Sequence, residues 1–532
     1  MCKGATYDDK TEPVLPAVVE DSLRRLGENQ AKWSGLSVAA KLELLEAMLQ
    51  ILTQEMTLDQ EWKALADWTA ETLMGLDLDG PEGQAVAVAE AVLPMVTIKA
   101  QMEKLIEGYK AALGTSDNMK HYDSKMKPQV HQPSGQVYLP VYPITPKDNF
   151  DLLGAGMNVE WWLDPEQVQK VDQAPKPFHM EPFKDNVDEG VLVVLGAGNQ
   201  SFLTLVDILD GLFVRQRTVF CKHNPLRGAG LDPICRKLFR PLYEQNFLGS
   251  CLDLKTLEAN SALVYHSDVT AIHMTGGKPT HDAVVWGSTK EEQETNKQNN
   301  TPKLQAEMSS ELGCITPWIM SFEPNASYTK AELQHHAQIL VMGVYSNASS
   351  NCLAPKVVVM AEEWPQREEF QKLVQAEWQK LELPVAYYPG CQDRWNRYRE
   401  KYASAVEWHG AESSKEDRRL SPPLLNNGQH GTEAVVLPLL CVDLKVDLST
   451  KAGRESARNE YAFQHEPFCP VLTFVTLQNN NTTTTYLETA VDLCNNYIFG
   501  TLSTSMSVPK SLEKTCGVEM AIANVAVRLR RH

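Results

Sequence analysis

The sequence from Gly190 to His223 reads GVLVVLGAGNQSFLTLVDILDGLFVRQRTVFCKH. Its first part, Val191 to Leu195, is entirely apolar, which is typical of a strand buried on both faces of a parallel sheet. After Gly196-Ala197-Gly198-Asn199, apolar residues recur at helical spacing, namely Phe202, Leu205, Leu209 and Leu212. The next strand-like run, Thr218 to Cys221, completes a β-α-β crossover. This stretch predicts an α/β protein with a parallel sheet.

Composition places the whole chain among folded globular proteins. It has 532 residues, enough for about three domains, with 43% hydrophobic and 22% charged residues. Lysine plus arginine number 50 and aspartate plus glutamate 68, so the net charge is 50 − 68 = −18. That surplus repels phosphate backbones and anionic lipid surfaces, so we predict no nucleic-acid partner.

Cysteine usage and the N-terminus indicate a cytoplasmic protein. The eleven cysteines form no Cys-x-x-Cys pair, which disfavours a disulfide scaffold, and we predict no metal site. The first residues, MCKGATYDD, lack the apolar core of a signal peptide. No uninterrupted apolar run approaches the ~20 residues that a membrane-spanning helix needs. We therefore predict reduced thiols and no membrane span.

The rest of the chain divides by its local patterns. Helical spacing dominates before about residue 112, and Val137 to Pro143 predicts a proline-broken edge strand. Residues 288–306 are polar enough to predict a surface insertion, and residues 315–381 alternate as a second α/β unit. The predicted segments are 1–119 for N-terminal helices of the cofactor domain, 120–170 for a β bridging and oligomerisation element, 171–308 for a Rossmann-like domain, 309–475 for a catalytic domain, and 476–532 for a return to the cofactor domain with a truncated C-terminus.

The residue pattern alone leaves the chemistry open. Gly196-x-Gly198 between strand and helix could approach a dinucleotide pyrophosphate, but the third glycine of the usual fingerprint is missing. A tight strand-to-helix turn explains the same glycines. Likewise, Cys352 is one of eleven cysteines, most of which are inert buried residues in a typical protein.

Six separated segments nevertheless resemble, in order and at comparable spacing, those of the aldehyde dehydrogenase superfamily over residues 30–525. They are Gly198-Asn199 with its preceding strand, Val219-Phe220-Cys221-Lys222-His223, Thr275-Gly276-Gly277, Ser310-Glu311-Leu312-Gly313, Asn351-Cys352-x-Ala354, and Glu466-Pro467-Phe468-Cys469-Pro470-Val471. The resemblance implies the aldehyde dehydrogenase fold: two doubly wound α/β domains, one Rossmann-like for the cofactor and one catalytic, with a small β bridging element.

The resemblance also implies three catalytic roles. Cys352 would be the thiol nucleophile that attacks the aldehyde carbon. The Asn199 amide, with the backbone N–H of Cys352, would stabilise the oxyanion. Glu311 would take a proton from the water that hydrolyses the thioester. The implied activity is oxidation of a small-molecule aldehyde to a carboxylic acid.

The cofactor implied by the resemblance is NAD or NADP. Lys222 would bind the adenosine ribose and Glu466 the nicotinamide ribose, Gly276 and Gly277 would lie near the pyrophosphate, and Phe468 would brace the nicotinamide. Pro225 stands where relatives selective for NAD often have a glutamate, and Lys222 and His223 add positive character nearby. Both coenzymes therefore remain open.

Two departures keep other functions open. Ser350-Asn351 stands where the family usually has Gly-Gln, and the chain stops soon after Met520 to Val527, before the family's Pro-Phe-Gly-Gly segment. That segment closes the substrate tunnel and supplies an oligomerisation strand in relatives, so we predict impaired homo-oligomer formation. The alternatives are a non-catalytic binding protein with this fold and a coenzyme A-acylating aldehyde dehydrogenase, which would not need Glu311.

Overall fold

The computed structural model describes residues 15–131, 135–150, 157–164, 168–174, 190–252, 254–322, 327–411, 434–479 and 483–512. It divides into two compact units. Unit 1 comprises residues 1–69, 78–116 and 178–311, and unit 2 comprises residues 70–77, 117–177 and 312–532. The C-terminal departure from the family, at residues 520–532, lies outside the described residues.

The strands, numbered along the chain, are β1 (Gln129–Val130), β2 (Val137–Tyr142), β3 (Val159–Trp162), β4 (Val191–Leu195), β5 (Val219–Lys222), β6 (Leu248–Cys251), β7 (Val269–Thr275), β8 (Glu307–Glu311), β9 (Thr316–Met320), β10 (Pro355–Ala361), β11 (Val385–Ala386), β12 (Val406–Trp408), β13 (Val435–Val436), β14 (Leu439–Val446), β15 (Val471–Leu477) and β16 (Ser505–Ser507).

The α-helices are α1 (Ala17–Gly35), α2 (Val38–Gln50), α3 (Lys63–Trp68), α4 (Pro81–Ala112), α5 (Met119–Lys125), α6 (Ser201–Leu209), α7 (Gly228–Leu238), α8 (Arg240–Glu244), α9 (Leu257–Val264), α10 (Lys278–Trp286), α11 (Lys290–Asn299), α12 (Lys330–Tyr345), α13 (Arg367–Trp378), α14 (Cys391–Lys401), α15 (Lys451–Arg458), α16 (Tyr461–Gln464) and α17 (Thr483–Asn496). Short π-helical turns cover Ile51–Glu55, Leu58–Trp62, Thr69–Leu73 and Asp210–Val214, and short 3₁₀ turns cover Pro146–Phe150, Val171–Gln173 and Ser346–Ser349.

Unit 1 is built on a five-stranded parallel sheet in the order β6-β5-β4-β7-β8. The apolar run of β4 serves both faces of this sheet, because Leu192 and Val194 belong to one buried core and Val191 and Val193 to another. Helices α2, α4, α6 and α7 supply the first core, and α1 and α9 supply the second. The predicted doubly wound α/β architecture is confirmed here.

Close packing explains the glycines after β4. A side chain at Gly196 would meet the Thr204 hydroxyl at 2.7 Å, and one at Gly198 would meet the Asn224 side chain at 2.7 Å. Neither position has room for a Cβ without movement of its neighbour. The tight-turn explanation of these glycines is therefore sufficient, whatever the turn binds.

Unit 2 contains a six-stranded sheet in the order β12-β14-β15-β10-β9-β16. All pairings are parallel except β12 with β14. Its central strand β10 is buried along its whole length, and α12 and α13 pack on the same core through Leu333, Leu340, Phe370 and Val374. Helix α12 lies between β9 and β10 along the chain, as expected for the α/β alternation predicted over residues 315–381.

The predicted bridging element is a three-stranded antiparallel sheet in the order β1-β2-β3. The prediction that Val137 to Pro143 forms an edge strand is wrong, because β2 lies in the centre. The sheet tolerates Pro140 because β1 pairs only with Val137 and Tyr138, and because the β2–β3 register shifts between Pro140 and Tyr142. The missing proline N–H therefore breaks no ladder with β1.

The end of the described chain differs from the predicted domain boundary. Residues 476–532 were predicted to return to the cofactor domain. Within their described part, however, β16 pairs in parallel with β9 in the sheet of unit 2, with Met506 opposite Ile319. Strand β8 spans the predicted start of the catalytic domain at residue 309. It belongs to the parallel sheet of unit 1 and carries Glu311 at its end. A short three-residue strand gives too weak a sequence pattern to assign.

Two further segments are helical. Residues 290–299, within the predicted polar insertion, form α11, none of whose residues is buried. Residues Gly83–Ala112 of α4 form the one described helix that is long and apolar enough, by length and composition, to cross a membrane. One such helix is weak evidence, since core helices pass the same test, and Ile98, Met102 and Ile106 of α4 are buried in a core of unit 1.

Candidate active site

Four of the predicted site positions in unit 1 lie at one edge of its sheet. Lys222 is the last residue of β5 and Glu311 the last of β8, while Asn199 follows β4 and Gly276 follows β7. The four strands are parallel neighbours, so their carboxyl ends meet at the same edge. Backbone hydrogen bonds join them: the Gly196 N–H donates to Lys222 O and the Gly276 N–H to Glu311 O, each over 3.0 Å. In doubly wound sheets this edge is where ligands bind.

The polar side chains at this edge differ in how they are held. Asn199 is buried, Lys222 is half-buried and Glu311 is exposed. Within the described ranges, neither the Lys222 ammonium nor the Glu311 carboxylate contacts a charged or hydrogen-bonding partner. Gly276 and Gly277 lead directly into α10, at whose first turn backbone N–H groups lack intrahelical acceptors. The edge therefore offers a cation, a carboxylate and a helix N-terminus.

Arg227, which the sequence analysis missed, holds the Asn199 loop. Its guanidinium is fully buried and donates to Gly198 O over 3.1 Å and to Asn199 O over 2.9 Å. The same group donates to Ser201 Oγ and to Glu90 Oε2, each over 3.0 Å. Arg227 therefore fixes the backbone on both sides of the predicted oxyanion donor. No sequence signal marks it, since Glu90 lies more than a hundred residues away.

His223 does not add to the positive character predicted beside Lys222. Its side chain is buried, and Nε2 lies 3.3 Å from Asp232 Oδ1. Burial alone would raise the pKa of Asp232, but hydrogen bonds from His223 and Arg236 outweigh it and lower that pKa to about 2. The imidazole therefore faces a carboxylate inside unit 1, whereas Lys222 contributes a cation at the sheet edge.

In unit 2, Cys352 lies in the loop that leads into β10. Three consecutive residues shortly before it, Asn347, Ala348 and Ser349, have left-handed backbone conformations with φ of 54°, 48° and 60°. Such conformations cost about 1–2 kcal/mol each for residues other than glycine. Of the nine described cysteines, all free, only Cys352 and Cys251 are not buried. Cys352 is thus among the two described thiols that a reagent or substrate can reach.

Side chains fix the carbonyl groups around Cys352. The Lys356 ammonium donates to Asn351 O over 2.7 Å and to Ala354 O over 2.9 Å. The Thr316 hydroxyl donates to Cys352 O over 2.8 Å. Both Lys356 and Thr316 are buried. The carbonyl groups of Asn351, Cys352 and Ala354 are therefore each held by a buried side chain.

Glu466 is a half-buried residue close to this loop. It accepts a hydrogen bond from the Cys314 backbone N–H, and its Oε2 is so close to Gly313 that a Cβ there would lie 2.0 Å away. Its Oε1 is buried without a partner among the described residues. Burial raises the pKa of Glu466, and the Lys356 ammonium only partly offsets that rise.

The thiol of Cys352 lies between opposing charges. Burial raises its pKa, the Glu466 carboxylate raises it further, and the Lys356 ammonium lowers it. Burial in turn lowers the pKa of Lys356. Without Lys356 the two largest influences, burial and Glu466, would favour the protonated thiol, which is the poorer nucleophile.

Phe468 is anchored through its backbone. Its φ is 48°, and its carbonyl accepts from Ser350 Oγ and from Arg394 Nη2, each over 3.2 Å. The ring packs edge-on against Tyr388 with centroids 4.9 Å apart. Since Ser350 belongs to the loop of Cys352, this bond joins the two predicted motifs of unit 2.

The structure thus assembles the predicted residues in two sets. Asn199, Lys222, Gly276, Gly277 and Glu311 share the sheet edge of unit 1, and Cys352, Glu466 and Phe468 share the loops before β10 and β15 in unit 2. Chemically, unit 1 supplies an amide donor and a carboxylate, and unit 2 supplies a thiol beside a buried ammonium and a half-buried carboxyl. Lys356, Thr316 and Arg227 complete these sets.

Comparison with solved structures identifies the fold. The NADP-dependent glyceraldehyde-3-phosphate dehydrogenase of Bacillus halodurans, solved with NADP, matches 97% of this chain and 81% of its own with a TM-score of 0.55 and 14% identity. Lactaldehyde dehydrogenase of Escherichia coli matches 99% of this chain and 87% of its own, with a TM-score of 0.56 and 12% identity. Salicylaldehyde dehydrogenase of Pseudomonas putida, solved with salicylaldehyde, matches 96% and 80%, with a TM-score of 0.54 and 10% identity. No protein-family model and no curated protein sequence matches the chain.

Proposed function

Starting from the aldehyde dehydrogenase fold of this chain, we propose that it oxidises an aldehyde to a carboxylic acid with NAD or NADP as acceptor. The Cys352 thiolate attacks the aldehyde carbon and gives a thiohemiacetal, whose oxyanion accepts hydrogen bonds from the Asn199 amide and the Cys352 N–H. A bound nicotinamide would be the acceptor of the hydride from the thiohemiacetal carbon, so that Cys352 would be left as a thioester. Glu311 then takes a proton from water as that water hydrolyses the Cys352 thioester.

The observation that supports this proposal best is the state of Cys352. Seven of the nine described cysteines are buried, whereas Cys352 is accessible and lies in a loop held by Lys356 and Thr316. A reactive thiol needs access and a nearby positive charge. Cys352 is not buried, and the Lys356 ammonium offsets part of the rise in its pKa that burial and Glu466 cause. Cys251, the other described cysteine that is not buried, is the last residue of β6, the edge strand of the unit 1 sheet.

The residues present fit a nicotinamide dinucleotide. Lys222 and the α10 N-terminus after Gly276 and Gly277 offer donors to a ribose and a pyrophosphate. Glu466 Oε1, buried without a partner among the described residues, can accept from a ribose hydroxyl. Phe468 would brace the nicotinamide. The choice of coenzyme rests on Lys222, because Pro225 offers no carboxylate to a ribose 2′-hydroxyl and His223 faces Asp232.

The test is reduction of NAD⁺ and, separately, NADP⁺ by the purified chain with a panel of aliphatic and aromatic aldehydes. We expect turnover in the unmodified chain, its loss in Cys352→Ser, and no change in Cys251→Ser, which is matched for thiol accessibility. Loss of activity in the Cys251→Ser variant alone, or activity retained in Cys352→Ser, would contradict the mechanism.

The alternatives give other results in the same assay. A coenzyme A-acylating enzyme would form an acyl thioester product only when coenzyme A is added, and Glu311→Gln would leave that reaction intact. A non-catalytic relative would bind the coenzyme, seen as quenching of tryptophan fluorescence, without turning over any aldehyde. For the hydrolytic enzyme, Glu311→Gln stalls at the thioester, which mass spectrometry detects on Cys352.

We also propose a cytoplasmic location, supported by the nine described cysteines, none of which forms a disulfide.

A further inference from the structure

Lys356 is the only fully buried lysine among the described residues of unit 2. It lies four residues after Cys352 and is the second residue of β10. Its ammonium donates to the carbonyls of Asn351 and Ala354, the residue before Cys352 and the second residue after it. A buried ammonium is costly, since burial favours the neutral amine. Two carbonyl acceptors reduce that cost but supply no countercharge.

The countercharge comes from the candidate active site. The groups that act electrostatically on Lys356 are the Glu466 carboxyl and the thiols of Cys352, Cys314 and Cys469. Those acting on Cys352 are Glu466 and Lys356. Cys314 and Cys469 are buried, so Cys352 is the accessible thiol of this set. An anion formed on Cys352 therefore meets one cation and one opposing carboxylate.

We propose that Lys356 is a positioning residue for Cys352, fixing the backbone on both sides of the thiol and supplying the positive charge that favours its thiolate against Glu466. This inference rests on the proposed function only in taking Cys352 as the nucleophile. It goes beyond that function because the motif around Cys352 does not assign Lys356 a role. A purely structural lysine would hold the carbonyls without changing the ionisation of the thiol.

The test measures thiol reactivity without aldehyde or coenzyme, so its outcome does not depend on whether the chain is an aldehyde dehydrogenase. The full chain is alkylated with iodoacetamide between pH 6 and pH 10, and mass spectrometry gives the rate for Cys352. Cys251, the other accessible described thiol, is the internal control in every sample.

In Lys356→Met we expect the midpoint of the Cys352 profile to move up by about one pH unit, which is about tenfold slower alkylation below the midpoint. Glu466→Gln should move it down, and Lys356→Arg should keep it near that of the unmodified chain. The Cys251 profile should not move in any variant. An unchanged Cys352 profile in a folded Lys356→Met chain would overturn the proposal.

Lys356→Gln separates the two parts of the role, since its amide can donate to both carbonyls but carries no charge. The proposal requires the same upward shift in this variant, even if Lys356→Met fails to fold. A Lys356→Gln profile equal to that of the unmodified chain would show that the lysine is structural only and would refute the electrostatic role.

Discussion

Replacing Arg227 with methionine should destabilise the chain strongly and slow its reaction. The side chain is fully buried, and its guanidinium holds Gly198 O, Asn199 O, Ser201 Oγ and Glu90 Oε2. Methionine fills similar volume but leaves these acceptors without their donor. Removing one partner of a buried ion pair costs about 3–5 kcal/mol. Because 18% of the Glu90 side chain is exposed, water can solvate its carboxylate in part, so we expect a loss of about 3 kcal/mol, at the lower end of that range.

The measurement is urea-induced unfolding followed by tryptophan fluorescence. Arg24→Met is the matched control in the same unit, because Arg24 also contacts two carboxylates, those of Asp21 and Glu28, but on the exposed face of α1. Its unfolding midpoint should stay where it is, since exposed pairs contribute little. A change below about 1 kcal/mol in Arg227→Met would refute the argument from burial.

Arg227→Lys separates stability from chemistry. Lysine keeps a charge for Glu90 but cannot donate to both loop carbonyls from one planar fork. If Asn199 is the oxyanion donor, its displacement should lower kcat by about 10²-fold while KM changes little, since one such donor is worth ~10²–10³ in rate. A folded Arg227→Lys chain with unchanged kcat would show that the loop does not need this anchor.

Two further predictions concern stability. Ser349→Gly should raise the free energy of unfolding by about 1 kcal/mol, because Ser349 has a φ of 60° and its buried Oγ has no partner among the described residues. Ser350→Gly should lower it by a similar amount, because the bond from Ser350 Oγ to Phe468 O is lost. Urea unfolding that shifts both variants the same way would contradict this. Burial alone would raise the pKa of Asp282, but hydrogen bonds from Lys278 and Lys297 outweigh it and lower that pKa to about 2 from 3.8. As the pH falls, the carboxylate of Asp282 is therefore protonated at higher pH in the unfolded chain than in the folded chain. Between pH 5 and pH 2, the free energy of unfolding should fall by about 2 kcal/mol more in the unmodified chain than in Asp282→Asn. Parallel pH profiles of the two chains would contradict this.

The sequence predicted those parts of the fold whose pattern is local. Strand β4 and helix α12 were predictable because an apolar run and a helical stripe carry the information within a few residues. The central place of β2 was not, because it depends on pairing with β1 and β3 and on a register shift beside Pro140. The placement of β16 beside β9 likewise depends on contacts between residues nearly two hundred positions apart.

The candidate site shows the same division. Parallel strands bring their carboxyl ends to one edge, so Lys222 and Glu311 could be grouped from the order of motifs alone. The contact between His223 and Asp232 could not be predicted, because a histidine next to a lysine in the sequence does not indicate which way its side chain points. The roles of Arg227 and Lys356 could not be predicted either, because their partners include backbone carbonyl groups, which every residue has.

Arg227 and Lys356 show why such residues matter in this chain. Each is a buried cation that donates to two backbone carbonyls of a loop. Arg227 donates to those of Gly198 and Asn199, and Lys356 donates to those of Asn351 and Ala354. A neutral amide can also donate to two carbonyls, but only a cation additionally favours negative charge nearby. Asn199 and Cys352 are the residues proposed to act on an oxyanion and to become a thiolate. Lys356 therefore fixes its loop and also favours a thiolate on Cys352, whereas the charge of Arg227 is met by Glu90 and its role is to fix the Asn199 loop.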